Sequence, residues 1–296
     1  MSSNLSLVRR ATDLALSLPL YPLPHHALSR LMHAFMRIRN PAIRTAQMRF
    51  LTRLYGIDVS EAQDADFASY DHFNAFFTRA LKADARPLDP DPDNLVSPVD
   101  GAVSQAGRIQ GESIFQAKGH EYSLLELLGG EAERTTPFFD GDFVTLYLSP
   151  RDYHRVHMPI SGTLRQMIHV PGRLFSVAPH TVRSVPRLFA RNERVIALFD
   201  TEIGPVAHIL VGAIFVSSMD TVWAGTVTPP SGSYINVTHY HGDDVVLERG
   251  AEMGRFNMGS TTITLFPKGA IEFAPEIVPG AKVRMGQRLA SPLADR

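Results

Sequence analysis

"ARPLDPDPDNLVSPVDG", residues 85–101, separates two kinds of sequence. Its four prolines remove backbone donors and fix φ, and its repeated Asp favours turns, so no helix runs through it. Upstream the signals are helical. Asn40-Pro41 supplies an N-cap and a first-turn proline, "AIRTAQMRFLTRLY" has helical periodicity, and Gly56 provides the stop. A further helix is expected after Ser69, with Phe73, Phe76, Phe77 and Leu81 as its buried stripe. Downstream, "DFVTLYLS", "RVIALFD", "VAHILVGAIFVSS", "DVVLE" and "STTITLF" are short apolar or alternating runs that read as strands. One short helix interrupts them in "SLLELLGG", where Ser123 and Glu126 make a capping box and Gly129 ends it. The expected class is α+β: a helical N-terminal segment followed by a β-rich body, either a sandwich or a partly closed barrel.

The chain has 296 residues, of which 44% are hydrophobic, enough for a substantial core. It contains no cysteine, which excludes disulfides, thiolate metal sites and a Cys nucleophile. The net charge of −1 hides an asymmetry. Residues 1–55 hold eight Arg, no Lys and one acid, Asp13, for +7, which leaves −8 for the remainder. Such a segment points to an anionic partner, either nucleic acid or an anionic membrane surface. "HALSRLMHAFMRIRN" (26–40) sets Leu28, Leu31, Met32 and Phe35 at helical spacing among Arg30, Arg37 and Arg39, a pattern that lies on membranes. No apolar run approaches the ~20 residues needed to span a bilayer. Asp13, Pro19 and Pro22 argue against a signal peptide, while an Arg-rich transit peptide stays open on composition alone.

Three polar clusters stand in the β-rich body. Asp100 precedes Gly101 at a strand entry, where the ordinary reading is a turn. His154 and His157 lie three apart in "SPRDYHRVHMP", but Pro150 and Pro159 leave too little room for a helix, and no third ligand stands nearby, so no metal is expected. The third is Gly259-Ser260, within "RFNMGSTTITLF" (255–266). The dipeptide alone reads as a bulge. Asp, His and Ser from separate parts of a chain can also form a proton relay. The exposed elbow of an ordinary serine hydrolase is absent here. With Gly259 directly upstream, Ser260 Oγ is placed to attack its own preceding carbonyl. An ester would form, β-elimination would cut the chain, and the new N-terminus would carry a pyruvoyl group.

Seven blocks then carry a resemblance: "SPVDGAVSQAGRI", "IFQAKGHEYSLLELLGG", "FVTLYLSPRDYHRVHMP", "VPGRLFSV", "LFARNERV", "VGAIFVSSMDTVWAGT" and "EMGRFNMGSTTITLF". In type and order they resemble the phosphatidylserine decarboxylases of the short bacterial membrane-associated kind, from about residue 67 to 268. One departure is Met258, where the family usually has Leu, a swap close in volume. The resemblance implies a basic membrane-associating segment (1–66) and a catalytic domain (67–296). It implies a relay of Asp100, His157 and Ser260 and a cut between Gly259 and Ser260, giving a β chain (1–259) and an α chain (260–296) that stay associated. The pyruvoyl group at 260 would replace pyridoxal phosphate, form a Schiff base with phosphatidylserine and release carbon dioxide, leaving phosphatidylethanolamine. His154 is expected as a proton donor or substrate contact, against a structural histidine bonded to backbone. Ser176 and Arg194 are expected to line the pocket, with "NER" as an internal ion-pair turn the other reading of Arg194. The implied setting is the cytoplasmic side of the cell membrane, attached peripherally to anionic lipid, without nucleic acid; homo-oligomerisation is left open. A pyruvoyl decarboxylase of a soluble amino acid is the rival enzyme. A carrier-type module is suggested by "VPGAKVRMGQRLA" (278–290), which lacks the lysine at a hairpin tip that such modules modify.

Overall fold

The structure, a computed structural model, describes residues 2–215, 218–228, 233–242, 244–257 and 260–293. Four helices precede the proline-rich stretch: α1 (Ser2–Ser17), α2 (His25–Met36), α3 (Pro41–Tyr55) and α4 (Phe73–Phe77). The boundaries of α3 follow its sequence signals. The Asn40 side chain accepts from the amides of Ala42 and Ile43 at 3.1 and 3.3 Å, and Gly56 turns left-handed at φ 67°. The helix expected to reach Leu81 stops at Phe77. The chain beyond it pairs with residues 61–63 instead: Leu81 bridges Ala62, and Lys82 N donates to Glu61 O at 3.0 Å. Phe73, Phe76 and Phe77 do pack as a core, with Met36, Met48, Leu51 and Ile57. This small core takes residues from both sides of position 66.

The strands run in chain order as β1 (Leu95–Val96), β2 (Gly101–Arg108), β3 (Ser113–Ala117), β4 (His120–Ser123), β5 (Asp142–Tyr147), β6 (Arg155–His157), β7 (Gly162–Val170), β8 (Arg194–Thr201) and β9 (Gly204–Val211). They continue as β10 (Met219–Thr221), β11 (Gly225–Thr228), β12 (Asn236–His239), β13 (Val246–Leu247), β14 (Glu252–Phe256), β15 (Thr261–Phe266), β16 (Ile271–Phe273), β17 (Lys282–Val283) and β18 (Arg288–Pro292). Short helices lie between them: α5 (Leu124–Leu127), α6 (Ala132–Thr135), α7 (Pro179–Ser184) and α8 (Leu188–Arg191). Ser123 Oγ caps α5 at the Glu126 amide and Gly129 follows with φ 85°, as expected, but the Glu126 carboxylate pairs with Arg187 at 2.5 Å in place of the reciprocal half of the capping box.

The α+β class holds. Nine strands form one antiparallel sheet in the order β12-β7-β8-β9-β15-β5-β2-β17, with β13 beside β7. The partly closed barrel is not formed among the described residues. Closure needs β12 to meet β17, but β17 is only two residues long, and the chain after it turns away into β18, which pairs with β1 and β16. A second sheet, β11-β10-β14-β6, receives the chain that leaves β5. β15 is buried at all six positions, and β5 at all but its last, so neither shows the polar-apolar alternation of a half-exposed strand.

The N-terminal segment is fastened to this body at a few polar points. Asp13, the one acid of residues 1–55, takes two hydrogen bonds from Arg183 of α7 at 2.8 and 2.7 Å. His25 accepts from the Leu174 amide at 3.3 Å. Replacing Asp13→Ala should therefore loosen α1. Hydrogen exchange of the α1 amides is expected to quicken about five-fold, the equivalent of about 1 kcal/mol for a partly exposed pair. Unchanged exchange would mean that packing alone holds the helix.

Candidate active site

Ser260 stands at the meeting of three strands. Its carbonyl accepts from the Leu148 amide at 2.8 Å, which extends the β15–β5 ladder by one residue. Its hydroxyl donates to the carbonyl of Val211, the last residue of β9. The side chain is wholly buried. Gly259, the other half of the expected cut, lies outside the described residues, as does Met258. Three residues before Ser260, Asn257 is held on both sides of its amide. Nδ2 donates to Ser218 Oγ at 2.5 Å and Asp220 Oδ2 at 2.9 Å, and Oδ1 accepts from Asn74 Nδ2 at 2.7 Å. Asn257 thus ties the approach to Ser260 to both the second sheet and α4.

The two histidines have different surroundings. β6 begins just beyond His154 and ends at His157. His157 Nδ1 donates to Gly250 O at 2.7 Å, and Nε2 accepts from the Tyr153 hydroxyl at 3.1 Å, assignments that fix a single neutral tautomer. Burial lowers its pKa and keeps the ring neutral, while burial pushes the Tyr153 phenol up to about 12 and keeps it a donor. His154 stacks on Phe77 with centroids 4.0 Å apart, and Nε2 donates to Ser149 O at 3.1 Å. Its Nδ1 has no hydrogen-bond partner among the described residues. Burial, aided by the nearby Arg79 charge, lowers this imidazole to about 3.

Asp100 sits directly before β2. A Cβ at Gly101 would run into Tyr147 O, so only glycine lets β2 lie this close to β5. The Asp100 carboxylate is clasped by Arg86, with Nε at 2.8 and 3.0 Å and Nη2 at 2.5 Å, and it accepts from the Met285 amide at 2.8 Å. Asp100 and His157 belong to neighbouring segments, since the His157 amide donates to Pro98 O at 2.9 Å. No direct hydrogen bond joins Asp100, His157 and Ser260 among the described residues. What the structure does bring together is Ser260 and His154, bonded to the successive residues Leu148 and Ser149.

Ser176 lines an apolar cavity of about 240 Å³ with Tyr55, Tyr147, Leu148, Ala213 and Ile214. Arg194 has surroundings unlike the pocket wall expected of it. Its buried guanidinium donates to the carbonyls of Glu126, Leu127, Ala190 and Asn192, closing the C-terminal ends of α5 and α8. Burial lowers its pKa to about 10. These bonds also differ from an ion-pair turn within "NER": the neighbouring Glu193 pairs with His169 at 2.9 Å. No group of three His, Asp or Glu close enough to hold a metal occurs among the described residues. Sequence reading passed over Arg86, Tyr153 and Asn257. Arg86 sits in a proline-rich stretch where charge is ordinarily solvated, and Asn257 in a strand pattern gave no sign of its partners.

A family model described as phosphatidylserine decarboxylase matches residues 73–291, and a second, described as PSD, matches residues 16–56. The chain belongs to the phosphatidylserine decarboxylase family. It is 58% identical over 247 residues to a phosphatidylserine decarboxylase proenzyme of Alkalilimnicola ehrlichii, covering 83% of this chain and 86% of that protein. To the proenzymes so named from Pseudomonas fluorescens and Shewanella sediminis it is 55% identical, over 91% of this chain and 94% and 96% of theirs. The resemblance read from the seven blocks is borne out, and these relatives are carboxy-lyases.

The buried histidines of this decarboxylase-family fold set a pH dependence. Burial also lowers His208, to about 3, although its Nδ1 is bonded to Thr264 Oγ1 at 2.8 Å. The unfolded chain binds these protons near pH 6.5 and the folded chain only far lower, so the unfolded state holds more protons in between. Stability must then fall as pH drops through that window, by about 1.4 kcal/mol per pH unit for each such histidine. In the Ser260→Ala chain, thermal midpoints at pH 7 and pH 5 should show this loss, and adding His208→Asn should shrink it. An equal loss in both chains would place the titration elsewhere.

Proposed function

We propose that this chain cuts itself between Gly259 and Ser260, and that the product decarboxylates phosphatidylserine to phosphatidylethanolamine at a membrane surface. The observation that carries the reading is Ser260 itself, wholly buried and pinned through hydroxyl and carbonyl where β5, β9 and β15 meet. Membership in the family supplies the chemistry. Ser260 Oγ attacks the Gly259 carbonyl carbon and gives up its proton; the amide nitrogen gains one as its bond to carbon breaks, leaving an ester. Loss of the Ser260 α-proton then expels the Gly259 carboxylate. Addition of water and loss of ammonia leave the pyruvoyl group.

His157 is the base in this reading. Burial keeps it neutral, and because Nδ1 donates to Gly250 O, a proton can be taken up only at Nε2, where Tyr153 now donates. Asp100, already clasped by Arg86, contributes negative charge nearby. The buried setting fits a pyruvoyl group, as does the unpartnered Nδ1 of His154. When formed, that group supplies a ketone for the substrate amine and an acceptor for the electrons released with carbon dioxide. His154 serves this stage. Its Nδ1 lone pair is free to accept a hydrogen bond from the substrate amine, which makes His154 a contact for the substrate. A neutral imidazole of such low pKa cannot begin as a donor.

Membrane attachment rests on the N-terminal helices. Leu18, Leu31, Phe50 and Leu54 are 60–69% exposed beside the exposed Arg30, Arg49 and Arg53. No described helix is long and apolar enough to cross a membrane. Exposed apolar side chains interspersed with arginine suit peripheral binding to an anionic leaflet, and we place the protein on its cytoplasmic side. A soluble amino acid substrate would leave these side chains without a use.

Denaturing electrophoresis with intact mass should find chains of 259 and 37 residues, the smaller blocked at its N-terminus. Ser260→Ala should give one inactive chain, and His157→Ala should stay largely uncut. His154→Ala should be cut normally yet decarboxylate on the order of 10²-fold more slowly; failure to cut would reassign that residue. Flotation should carry the protein up with phosphatidylglycerol vesicles at low salt and less so at high salt. Absence from the vesicle fraction at both would count against the membrane surface.

A further inference from the structure

Arg79 is a buried cation with unused donors. It is 3% exposed. Its guanidinium makes one hydrogen bond, from Nη2 to Asp58 O at 3.3 Å, and lies 5.1 Å from the centre of the Phe76 ring. Nε and Nη1 have no partner among the described residues. A guanidinium cannot shed its charge at ordinary pH, and although Glu61, Asp100 and Asp58 act on it from nearby, none of them bonds to its idle donors. Structural need does not account for such a group, because cation–π contact with Phe76 leaves both donors idle.

Arg79 lines a cavity of about 330 Å³, together with Asp100, Tyr147, Ser149 and Tyr153. The acids in that wall are already committed. Asp100 is held by Arg86, and Glu61 by Arg86 at 2.7 Å and Arg284 at 3.5 Å. Asp152 accepts from the amide and hydroxyl of Ser149, each at 2.7 Å, and Asp58 accepts from the amide and hydroxyl of Ser60. Of the two arginines in that wall with buried side chains, Arg86 has every nitrogen bonded, so the idle donors are those of Arg79. The cavity also borders the segment that matters for chemistry. Tyr147 and Ser149 flank Leu148, whose amide holds Ser260, and the Ser149 carbonyl holds His154.

We infer that Arg79 anchors an oxyanion of the substrate headgroup, which presents an oxygen to one of the idle donors, Nε or Nη1. The phosphodiester and the carboxylate of phosphatidylserine both have that chemistry, and either can accept a charge-assisted hydrogen bond from a guanidinium. This inference rests on the reading that the substrate is phosphatidylserine. Burial gives the contact its strength, since little water competes for the donors.

Calorimetric titration of the uncut Ser260→Ala chain tests the inference without any need for processing. Two probes separate the sources: glycerophosphoserine carries phosphodiester and carboxylate, and glycerophosphoethanolamine carries the phosphodiester alone. With Arg79→Met added, affinity should fall about ten-fold or more for at least one probe, as expected for hydrogen bonds to a charged group. Loss for both assigns the phosphodiester, and loss for glycerophosphoserine alone assigns the carboxylate. Equal affinity in the two chains overturns the inference, as does failure of both probes to bind when Arg79 is present. If thermal melting shows that Arg79→Met does not fold, Arg79→Lys carries the test, with a smaller loss expected and equal affinity again the contrary result. Phosphatidylethanolamine formation by the wild-type chain is measured separately. If that succeeds while Arg79 proves indifferent to both probes, the inference fails and the reading beneath it stands.

Discussion

The pairing of β15 between β5 and β9 is the constraint on which most of the fold depends. Thr261–Phe266 meets Tyr147–Asp142 on one side and Val211–Ala207 on the other, so the strand is hydrogen-bonded along both edges near the centre of the nine-stranded sheet. Every position in it is buried. Since side chains alternate between faces, a slip of one residue would exchange Ile263 and Leu265 with the threonines beside them. It would also carry Ser260 away from Leu148 and Val211. The register that packs the core is thus the register that sets the serine.

The segment after β5 explains how distant residues come together. It leaves the large sheet at Tyr147, turns through Ser149 and Pro150, and enters the second sheet as β6. Along the way it gives an amide to Ser260, a carbonyl to His154 and a phenol to His157. The helical segment closes the opposite side, with Phe77 stacked on His154 and Asn74 bonded to Asn257. The basic helices are therefore joined to the chemical centre through α4 as well as to the body through Asp13.

Legibility in the sequence followed the range of the interactions. Local signals were clear: the Asn40 cap, the Gly56 stop, the Ser123 cap and the strand at Thr261 could all be read from their neighbours. The helix beyond Phe77 was misread because Leu81 continues the apolar spacing, while its true partner, Ala62, is nineteen residues upstream. The barrel failed for a similar reason: closure needs β12 to meet β17, a pairing between segments far apart in the sequence. Of the site, Ser260, His154, His157 and Asp100 were visible as chemical types. Their partners were not, because the Arg86 clasp, the Gly250 carbonyl and the Asn74–Asn257 bond all join distant segments. Arg194 shows the opposite case, a charge suited to phosphate by type but spent on four carbonyls by position.

β14 belongs to one sheet and β15 to another, so Ser260 stands where the chain passes between them. Scission just before it would sever a connection and leave both ladders whole. Downstream of that point the chain would stay woven in through β15 within the large sheet, β17 against β2, and β18 against β1. The Met285 amide would remain on Asp100 as a further link between the two pieces. The sheet architecture would thus act as a splint: a covalent bond could be lost there without giving either fragment a way to leave.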